Sequence, residues 1–518
     1  MRESGYRAVK RFFFLVFPLF GAFLFFSFLS RTDTSLGRQI VLLVDGKMSG
    51  RDLVSKDVGM RLAHAGFKVS VGAFDAGRLD QFLIANPGAL FLSDRPLQSD
   101  GYALKRTDHL FAAVAVTSRS SGLFSLTGAE FDRIAESDGV FYGTAEKTVG
   151  KTKGAVLIVP FDGLSLRVKP LAVDGVFPSF CRMKDGSYPK LFRYSVYTRE
   201  GRPPAARGDL DAALVGPWIA KSFSIIAGGD VMLDRGTGES VDRHGVDHPF
   251  EKIRAEMTMH DIACANLEGP ISDRGRRFFP DKGIYFRADP KVIKGIVDSG
   301  LDFLSLANNH SLDWGVDALA DTMNLLKTAG VRYAGVGRTR EEALSPAVFR
   351  MGDKSVAFIA YNDVYPLSVS EEGRSMQTLD FREGEIEKEI RLLKEKYDIL
   401  IVSVHAGAEY NGKQEEEKAR KLRSLVDAGA DVVLGHHPHA VQDIEIYRGR
   451  VVAYSLGNLI FDQSWSVQTS QGLLLEIGFV GLDPVYINPM PVVIERAQAR
   501  LVGGVLREEI VRELNSNN

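Results

Sequence analysis

Cysteine is scarce in this sequence: Cys181 and Cys264 are the only two among 518 residues, and no Cys-x-x-Cys spacing occurs. This scarcity argues against a disulfide framework and against a zinc site built from thiolates. An excess of charge of one sign is also lacking, because 64 Lys and Arg residues nearly balance 66 Asp and Glu residues. A chain without a global positive field is not expected to have DNA or RNA as a partner.

Charge is absent from residues 12–29, a run that contains nine phenylalanines and follows Arg2, Arg7, Lys10 and Arg11. Eighteen apolar residues just span a bilayer, and positive charge on the amino-terminal side predicts that this end stays in the cytoplasm. We therefore predict an uncleaved anchor at residues 1–31, in a bacterial cytoplasmic membrane that is crossed once, with the rest of the chain extracytoplasmic. A cleaved signal peptide and a buried helix are the alternatives.

The length predicts several domains. Apolar runs at residues 40–44, 67–71 and 89–92 are typical of buried strands, and helical spacing of apolar residues lies between the first two. This alternation predicts a parallel α/β sheet. Segments 113–136 and 169–198 resemble the phosphate-type periplasmic substrate-binding proteins. The resemblance implies a degenerate domain of that fold at residues 38–205, which would serve as a spacer or docking surface. A sensor of phosphate or another small anion is the alternative.

Residues 201–216 are rich in proline, glycine and charge, which is typical of a linker. We place the linker at residues 206–221. A second α/β domain is predicted at residues 222–480, followed by a carboxyl-terminal extension at residues 481–518 that includes a short helix.

In this second domain, five apolar runs each end in Asp, Glu, Asn or His, at residues 223–230, 262–268, 303–310, 399–405 and 432–439. Helical stripes separate several of them, one from Val316 to Leu326 and one from Ala419 to Val426, and each stops near a glycine. Strand–helix–strand order predicts parallel strands, whose carboxyl ends would meet at one edge of one sheet.

Five of the ten histidines lie at these strand ends, together with carboxylates and an asparagine. Such ligands suit a divalent cation, and two cations can share a carboxylate and activate water. We predict a divalent metal ion, Mn, Zn or Fe, and two ions as an option. The alternatives are helix capping or a solvated charge for Asp230 and Glu268, and a turn role for Asn309.

Six ordered blocks carry a resemblance to a known family: GGDVMLDRG (228–236), ANLEGPIS (265–272), LANNHSLDWG (306–315), VSVHAGAEY (402–410), GHHPHAVQ (435–442) and YSLGNLIFDQ (454–463). They resemble the CapA family of poly-γ-glutamate capsule synthesis, which is similar to calcineurin-like metallophosphoesterases. The resemblance implies a layered α/β sheet with helices on both faces.

Roles follow from this resemblance, position by position. Asp230 would bind one metal, Glu268 would bridge, and the other implied ligands are Asn309, His405, His437 and His439. His310, with Asp230, would be catalytic, as an acid or an anion-stabilising group. Groups implied to orient ligands or to contact substrate are His436, Asn308, Asn458, Asp462 and Glu409. The chain departs from the phosphoesterases at Met232, where they carry histidine, and at Glu268, where they carry aspartate.

The implied function is an anchored extracytoplasmic protein of poly-γ-glutamate capsule biosynthesis or export with a metal-dependent hydrolase-like site. Its partners would be a poly-γ-glutamate-like anionic polymer and other capsule-synthesis membrane subunits. The alternative is a non-catalytic assembly or export factor that binds the polyanion.

Overall fold

The computed structural model of the chain divides into two compact units, Met1–His109 with Tyr194–Leu214, and Leu110–Arg193 with Val215–Asn518. It describes residues 222–514 apart from 280 and 383–385. Before these it describes residues 39–48, 68–76, 90–94, 104–118, 125–136, 157–160, 168–174, 176–184 and 187–199, and the single positions 54, 58, 62, 79, 81, 97, 164 and 166. The predicted anchor and linker lie outside these residues. No helix among the described residues is long and apolar enough to cross a membrane.

The strands before residue 200 are β1 (Gln39–Asp45), β2 (Lys68–Phe74), β3 (Leu90–Ser93), β4 (Leu104–Ser118), β5 (Ser125–Leu126), β6 (Leu157–Pro160), β7 (Val168–Pro170), β8 (Ala172–Val173) and β9 (Leu191–Arg199). The helices there are α1 (Gly128–Glu136) and α2 (Phe180–Lys184).

In the first unit, β1 pairs in parallel with β2 and β3, as the alternating pattern predicts, and β9 pairs with β3 in antiparallel fashion. Val54, Val58 and Leu62 are helical and fully buried, which fits their helical spacing. In the second unit, β4 pairs with β6 and β7. Thr127 and Glu130 form reciprocal side chain–backbone hydrogen bonds that cap α1.

The strands after residue 221 are β10 (Ser222–Val231), β11 (Ile262–Leu267), β12 (Phe303–Ser305), β13 (Arg332–Ala334), β14 (Val336–Gly337), β15 (Ala347–Met351), β16 (Lys354–Asn362), β17 (Ser368–Glu371), β18 (Arg374–Thr378), β19 (Ile399–His405), β20 (Val432–His436), β21 (Ile444–Tyr447), β22 (Arg450–Ala453), β23 (Asn458–Ile460), β24 (Gln471–Val480), β25 (Asp483–Glu495) and β26 (Gln498–Leu501). The helices are α3 (Arg235–His244), α4 (Arg254–Met257), α5 (Val292–Asp298), α6 (Gly315–Ala329), α7 (Arg340–Ala343), α8 (Ile386–Lys396), α9 (Glu416–Ala428) and α10 (Gly504–Glu513).

These strands form two main sheets. One has the order β13-β12-β11-β10-β24-β25-β26, with β23 also on β10, and the other has the order β15-β16-β19-β20-β22-β21. The predicted site strands that neighbour one another are parallel, β10 with β11, β11 with β12, and β19 with β20, whereas β24 pairs with β10 in antiparallel fashion. The prediction that they share one sheet is wrong, because β10, β11 and β12 lie in the first sheet and β19 and β20 in the second. Strands β25 and β26 extend the first sheet beyond residue 480.

The two sheets pack face to face, with helices on their outer faces. Side chains alternate along β10: Ile225 and Ala227 join a core with Ile401 of the second sheet, and Ile226 joins a core with Leu319 of α6. A third core lies between the second sheet and α8 and α9. Each central strand is therefore covered on both faces, which explains its continuous apolar run.

Candidate metal centre

The predicted polar side chains come from the carboxyl ends of strands in both sheets. Asp230 is the second-last residue of β10, Glu268 follows β11, Asn309 follows β12, and His405 ends β19; all four are buried. Parallel strands within each sheet bring their ends to one edge. Because the two sheets are stacked with these edges adjacent, their side chains meet across the layers: Nε2 of His405 lies 2.9 Å from Oδ1 of Asn309.

The chain leaves β20 through a strained turn. His437 and His439 have φ angles of 95° and 54°, on either side of Pro438. Positive φ is unfavourable for residues with a Cβ atom, and such strain is concentrated at functional sites. The turn places both imidazoles inside the protein, where each is at most 5% exposed.

Asp230, Glu268 and His439 form one group of possible metal ligands. Nδ1 of His439 lies 3.3 Å from Oδ2 of Asp230, and its Nε2 lies 3.6 Å from Oε1 of Glu268. One ligand atom from each residue falls within a 4.8 Å radius of the others. Two carboxylates and an imidazole at this spacing suit a divalent cation that accepts oxygen and nitrogen.

Glu268 shows why a cation fits here. Its side chain is fully buried, and neither carboxylate oxygen has a hydrogen-bond partner among the described residues. Burial raises the pKa of Glu268 to about 8, and the nearby charge of Asp230 adds to this rise. A buried carboxylate without partners is costly. A bound cation would compensate this charge.

Neighbouring imidazoles provide further ligands. The rings of His405 and His437 lie 4.7 Å apart, and Nδ1 of His437 has no hydrogen-bond partner in the described part of the chain. Burial lowers the pKa of His437 to about 3 and that of His405 well below its ordinary value. Both rings are therefore neutral at pH 7, the form that ligates metals. Glu409, which is exposed, can form a further ligand set with His437 and His439. It could therefore bind a metal ion directly, whereas the sequence predicted that it orients ligands or contacts substrate.

His439 differs from the other two in its charge. Burial by itself would lower its pKa, but the charges of Glu268 and Asp230 raise the pKa of His439 to about 9. Burial by itself would raise the pKa of Asp230. Contacts with His436 and His439 outweigh this effect and hold the pKa of Asp230 well below its ordinary value. Without metal, Asp230 is thus an anion beside a cationic His439.

His310 lies next to this group. Its Nε2 is 3.9 Å from Oε1 of Glu268, and its Nδ1 is 2.8 Å from Oδ2 of Asp313. Burial lowers the pKa of His310 to about 4. The ring packs on Phe286 at 4.1 Å between centroids, and Nζ of Lys282 lies 3.2 Å from Nδ1. A neutral, oriented imidazole beside the carboxylates can exchange a proton with a bound substrate or water.

Of the predicted supporting groups, Asn308, Asn458 and His436 contact the site. Oδ1 of Asn458 lies 2.9 Å from Nδ1 of His439, Nδ1 of His436 lies 3.2 Å from Asp230, and the side chain of Asn308 accepts from the amide of His310. Asp462 does not join them. Its carboxylate instead accepts from Arg235 and from the amide of Gly236.

Sequence reasoning missed three residues at the site. Asn266 donates a hydrogen bond of 2.9 Å to Asp230. It lies in β11, two residues before Glu268. Because side chains two residues apart on a strand point to the same side, this spacing could have indicated its place at the site. Asp313 lies three residues after His310, in one of the recognised blocks. Lys282, which pairs with Asp313, lies in a loop without a distinguishing pattern.

Met232 occupies the position of a histidine in the phosphoesterases. It is fully buried, and its sulfur accepts from the amide of Asp234 at 3.1 Å. This side chain provides no imidazole to the site.

Comparison with known proteins places this site in a family. Residues 224–463, which contain every predicted ligand, match the family "Bacterial capsule synthesis protein PGA_cap". Residues 224–463 belong to this family. We refer to residues 224–463 as the PGA_cap segment.

The chain is 27% identical over 296 residues to "Capsule biosynthesis protein CapA" of Bacillus anthracis, covering 56% of this chain and 72% of that protein. It is 28% identical over 239 residues to "PGA biosynthesis protein CapA" of Bacillus subtilis, covering 46% of this chain and 63% of that protein. A "probable polyglutamine synthesis accessory protein" of Mycobacterium tuberculosis is 25% identical over 46% of this chain and 74% of its own length.

Solved structures give weaker matches. An ABC-type phosphate transport receptor from Vibrio cholerae is 10% identical, with a TM-score of 0.21, over 34% of this chain and 93% of that chain. A possible phosphate binding protein from Planctomyces limnophilus gives a TM-score of 0.22 over 32% of this chain and 83% of that chain, at 13% identity. Scores this low carry no argument about function.

Proposed function

We propose that the PGA_cap segment is a metal-dependent hydrolase of capsule biosynthesis or export that acts on an anionic polymer of the poly-γ-glutamate type. The observation that carries this proposal is that Asp230 and His439 converge on Glu268, a buried carboxylate without hydrogen-bond partners in the part of the chain that the structure describes. The stacked sheets with outer helices support the calcineurin-like metallophosphatase-type fold that the resemblance implies. The printed names of the Bacillus relatives support the polymer.

Asp230, Glu268 and His439 would hold a divalent cation, and Asn309, His405 and His437 would hold a second. Such ions polarise a substrate oxygen and lower the pKa of bound water. Asp313 fixes the ring of His310 through Nδ1 and leaves Nε2 directed towards Glu268. His310 would therefore move a proton at Nε2, to the leaving group or from the attacking water.

Residues around the site suit a long anionic chain. Arg235 is partly exposed, and its guanidinium lies 4.8 Å from the centre of the Phe286 ring that packs on His310. Tyr410 and Trp465 are exposed and contact each other at 5.8 Å between centroids, with Tyr410 6.0 Å from His439. The two exposed aromatic rings beside His439 can contact peptide planes of a polymer, and Arg235, which is paired with Asp462, has further N–H donors for its carboxylates.

Met232 favours a second candidate function. Because its buried thioether replaces an imidazole ligand of the phosphoesterases, one metal position has a ligand fewer. A protein that binds the polymer through its cations, without cleaving it, would be an assembly or export factor.

We also propose that residues 12–29 anchor the chain in the cytoplasmic membrane, with the site outside the cytoplasm and with other membrane subunits of capsule synthesis as partners. The apolar run and the preceding basic residues support this arrangement. Protease added to spheroplasts should degrade the PGA_cap segment, and without protease the intact chain should be found in the membrane fraction. Protection from protease in sealed spheroplasts would contradict the orientation.

The function is tested with the full chain purified in detergent. We would measure bound metal by mass spectrometry and cleavage of poly-γ-glutamate and of a phosphodiester, for wild type, Asp230→Asn and Glu268→Gln. The matched control is Glu417→Gln, at a side chain that is 72% exposed. We expect both site variants to lose metal and activity with unchanged circular dichroism, and the control to lose neither. Metal-loaded wild type that binds the polymer but cleaves neither substrate would support the assembly factor instead.

A further inference from the structure

A second cluster of possible metal ligands lies in the same unit, away from the candidate metal centre. Cys181 is in α2, His260 precedes β11, and Glu476 is in β24. All three are at least nine-tenths buried. Their neighbour Ser224 is near the start of β10, whereas Asp230 is near its end. At about 3.3 Å per residue, six residues of strand separate the two sites by roughly 20 Å.

The distances in this cluster match those of a tetrahedral zinc site. Sγ of Cys181 lies 3.5 Å from Nδ1 of His260, and that nitrogen lies 4.0 Å from Oε1 of Glu476. With Zn–S near 2.3 Å and Zn–N near 2.0 Å, tetrahedral geometry gives a sulfur–nitrogen separation of about 3.5 Å and a nitrogen–oxygen separation of about 3.3 Å. The observed sulfur–nitrogen separation equals this value, and the nitrogen–oxygen separation exceeds it by about 0.7 Å.

A fourth position is also provided. The hydroxyl oxygen of Ser224 lies 3.0 Å from Nδ1 of His260 and 3.5 Å from Sγ of Cys181. It therefore borders the same small space as the other three atoms. This hydroxyl, or a water in its place, would complete four-coordination.

The surrounding residues orient the ligands as they do in metal sites. Nε2 of His260 has no hydrogen-bond partner among the described residues and lies 3.8 Å from Oε1 of Glu256. A ligating histidine usually directs its second nitrogen at a carboxylate in this way. Glu476 is fixed by Tyr486, which donates to Oε1 at 2.6 Å, and by Asn488, which donates to Oε2 at 3.0 Å.

Charge also fits a divalent ion. A thiolate, a carboxylate and a neutral imidazole around a 2+ ion form a group with no net charge, which limits the cost of burial. The mixture of sulfur, nitrogen and oxygen ligands favours zinc over magnesium or calcium. In the metal-free arrangement the thiol of Cys181 donates to the carbonyl of Met259 at 3.1 Å, so zinc would displace this proton.

We propose that Cys181, His260 and Glu476 form a structural zinc site that fastens α2 to the first sheet. The single thiolate of this site comes from a short helix outside the PGA_cap segment. The absence of Cys-x-x-Cys spacing does not exclude a zinc site with only one cysteine ligand. It is independent of the proposed hydrolase activity.

Cobalt substitution of the full chain distinguishes the two sites, because the candidate metal centre contains no cysteine. We would remove metals from the purified protein, add Co²⁺, and record the near-ultraviolet charge-transfer absorption of a thiolate–cobalt bond. We expect this absorption in wild type and in Glu268→Gln, which impairs the other centre. It should vanish in Cys181→Ser and persist in the matched control Cys264→Ser, since Cys264 is buried in a separate apolar core.

The wild-type measurement alone can overturn the proposal, whatever the folding of the variants. Folded wild type that binds Co²⁺ without thiolate absorption would show that the cluster is a metal-free hydrogen-bonded group. Absorption that persists in folded Cys181→Ser would assign the thiolate elsewhere and equally refute the site. A hydrolase that proves inactive would leave the absorption unaffected.

Discussion

Replacing Glu268 with glutamine should make the metal-free protein more stable at pH 8, although it removes a proposed metal ligand. The pKa of this buried carboxyl is raised from 4.5 to about 8. A carboxyl with a higher pKa in the folded than in the unfolded chain stabilises the fold while protonated. That contribution is complete below pH 4.5 and is lost as the pH rises through about 8.

The magnitude follows from the size of this shift. One pKa unit corresponds to about 1.4 kcal/mol, so wild type loses at most roughly 5 kcal/mol of unfolding free energy from Glu268 between pH 4.5 and 8. Glutamine cannot ionise and avoids this loss. With a divalent cation in hundredfold excess over its Kd, wild type would instead gain about 2.7 kcal/mol, and the variant would gain less.

The assay is urea unfolding followed by circular dichroism at pH 5 and pH 8, with EDTA or with Mn²⁺, and with Glu417→Gln as the exposed control. In EDTA at pH 8, we expect the unfolding free energy of Glu268→Gln to exceed that of wild type. With Mn²⁺, we expect the unfolding free energy of wild type to rise more than that of the variant. If the two proteins differ in unfolding free energy by the same amount at pH 5 and pH 8 in EDTA, burial does not raise the pKa of Glu268. An Mn²⁺ response equal in both proteins would refute Glu268 as a ligand.

Three further outcomes are expected. His310→Gln should lower kcat by about 10²–10⁴ with unchanged metal content; an unchanged kcat, measured on the cleaved substrate, would exclude proton transfer by this ring. Gly229→Ala would place a Cβ atom 2.0 Å from the carbonyl oxygen of Gly457, which should push β10 from β23 and weaken metal binding in a titration, and unchanged affinity would contradict this. Phe358→Ala removes a ring that stacks on Phe303 of the other sheet at 4.6 Å, so urea unfolding should show a loss of about 3–5 kcal/mol, and a loss below 1 kcal/mol would be inconsistent with this packing.

Local patterns predicted the elements of the site well. The stripe from Val316 to Leu326 is α6, and Gly330 after it has the left-handed conformation of a helix end, with φ 80°. The apolar runs that lead to Asp230, His405 and His436 are strands of the two main sheets. These features depend on residues near in sequence, so periodicity and a terminal glycine are sufficient to identify them.

The division into two sheets could not be read from the same patterns. A central strand shows a continuous apolar run whether its second face meets helices or another sheet, as Ile225 and Ile226 on opposite faces of β10 illustrate. Side-chain partners from distant loops were equally hidden. Lys282 reaches Asp313 only because the loop after β11 folds back over the end of β12.

By itself, the sequence determined which side chains stand at the strand ends and which family they resemble, because both are properties of short ordered segments. Tertiary structure decided that two stacked sheets bring Asp230 and Glu268 to His439. It also decided that Glu268 has no hydrogen-bond partner within the described ranges and that Cys181 meets His260 and Glu476. These juxtapositions depend on packing between segments far apart in the chain, and burial then sets the charge of each group.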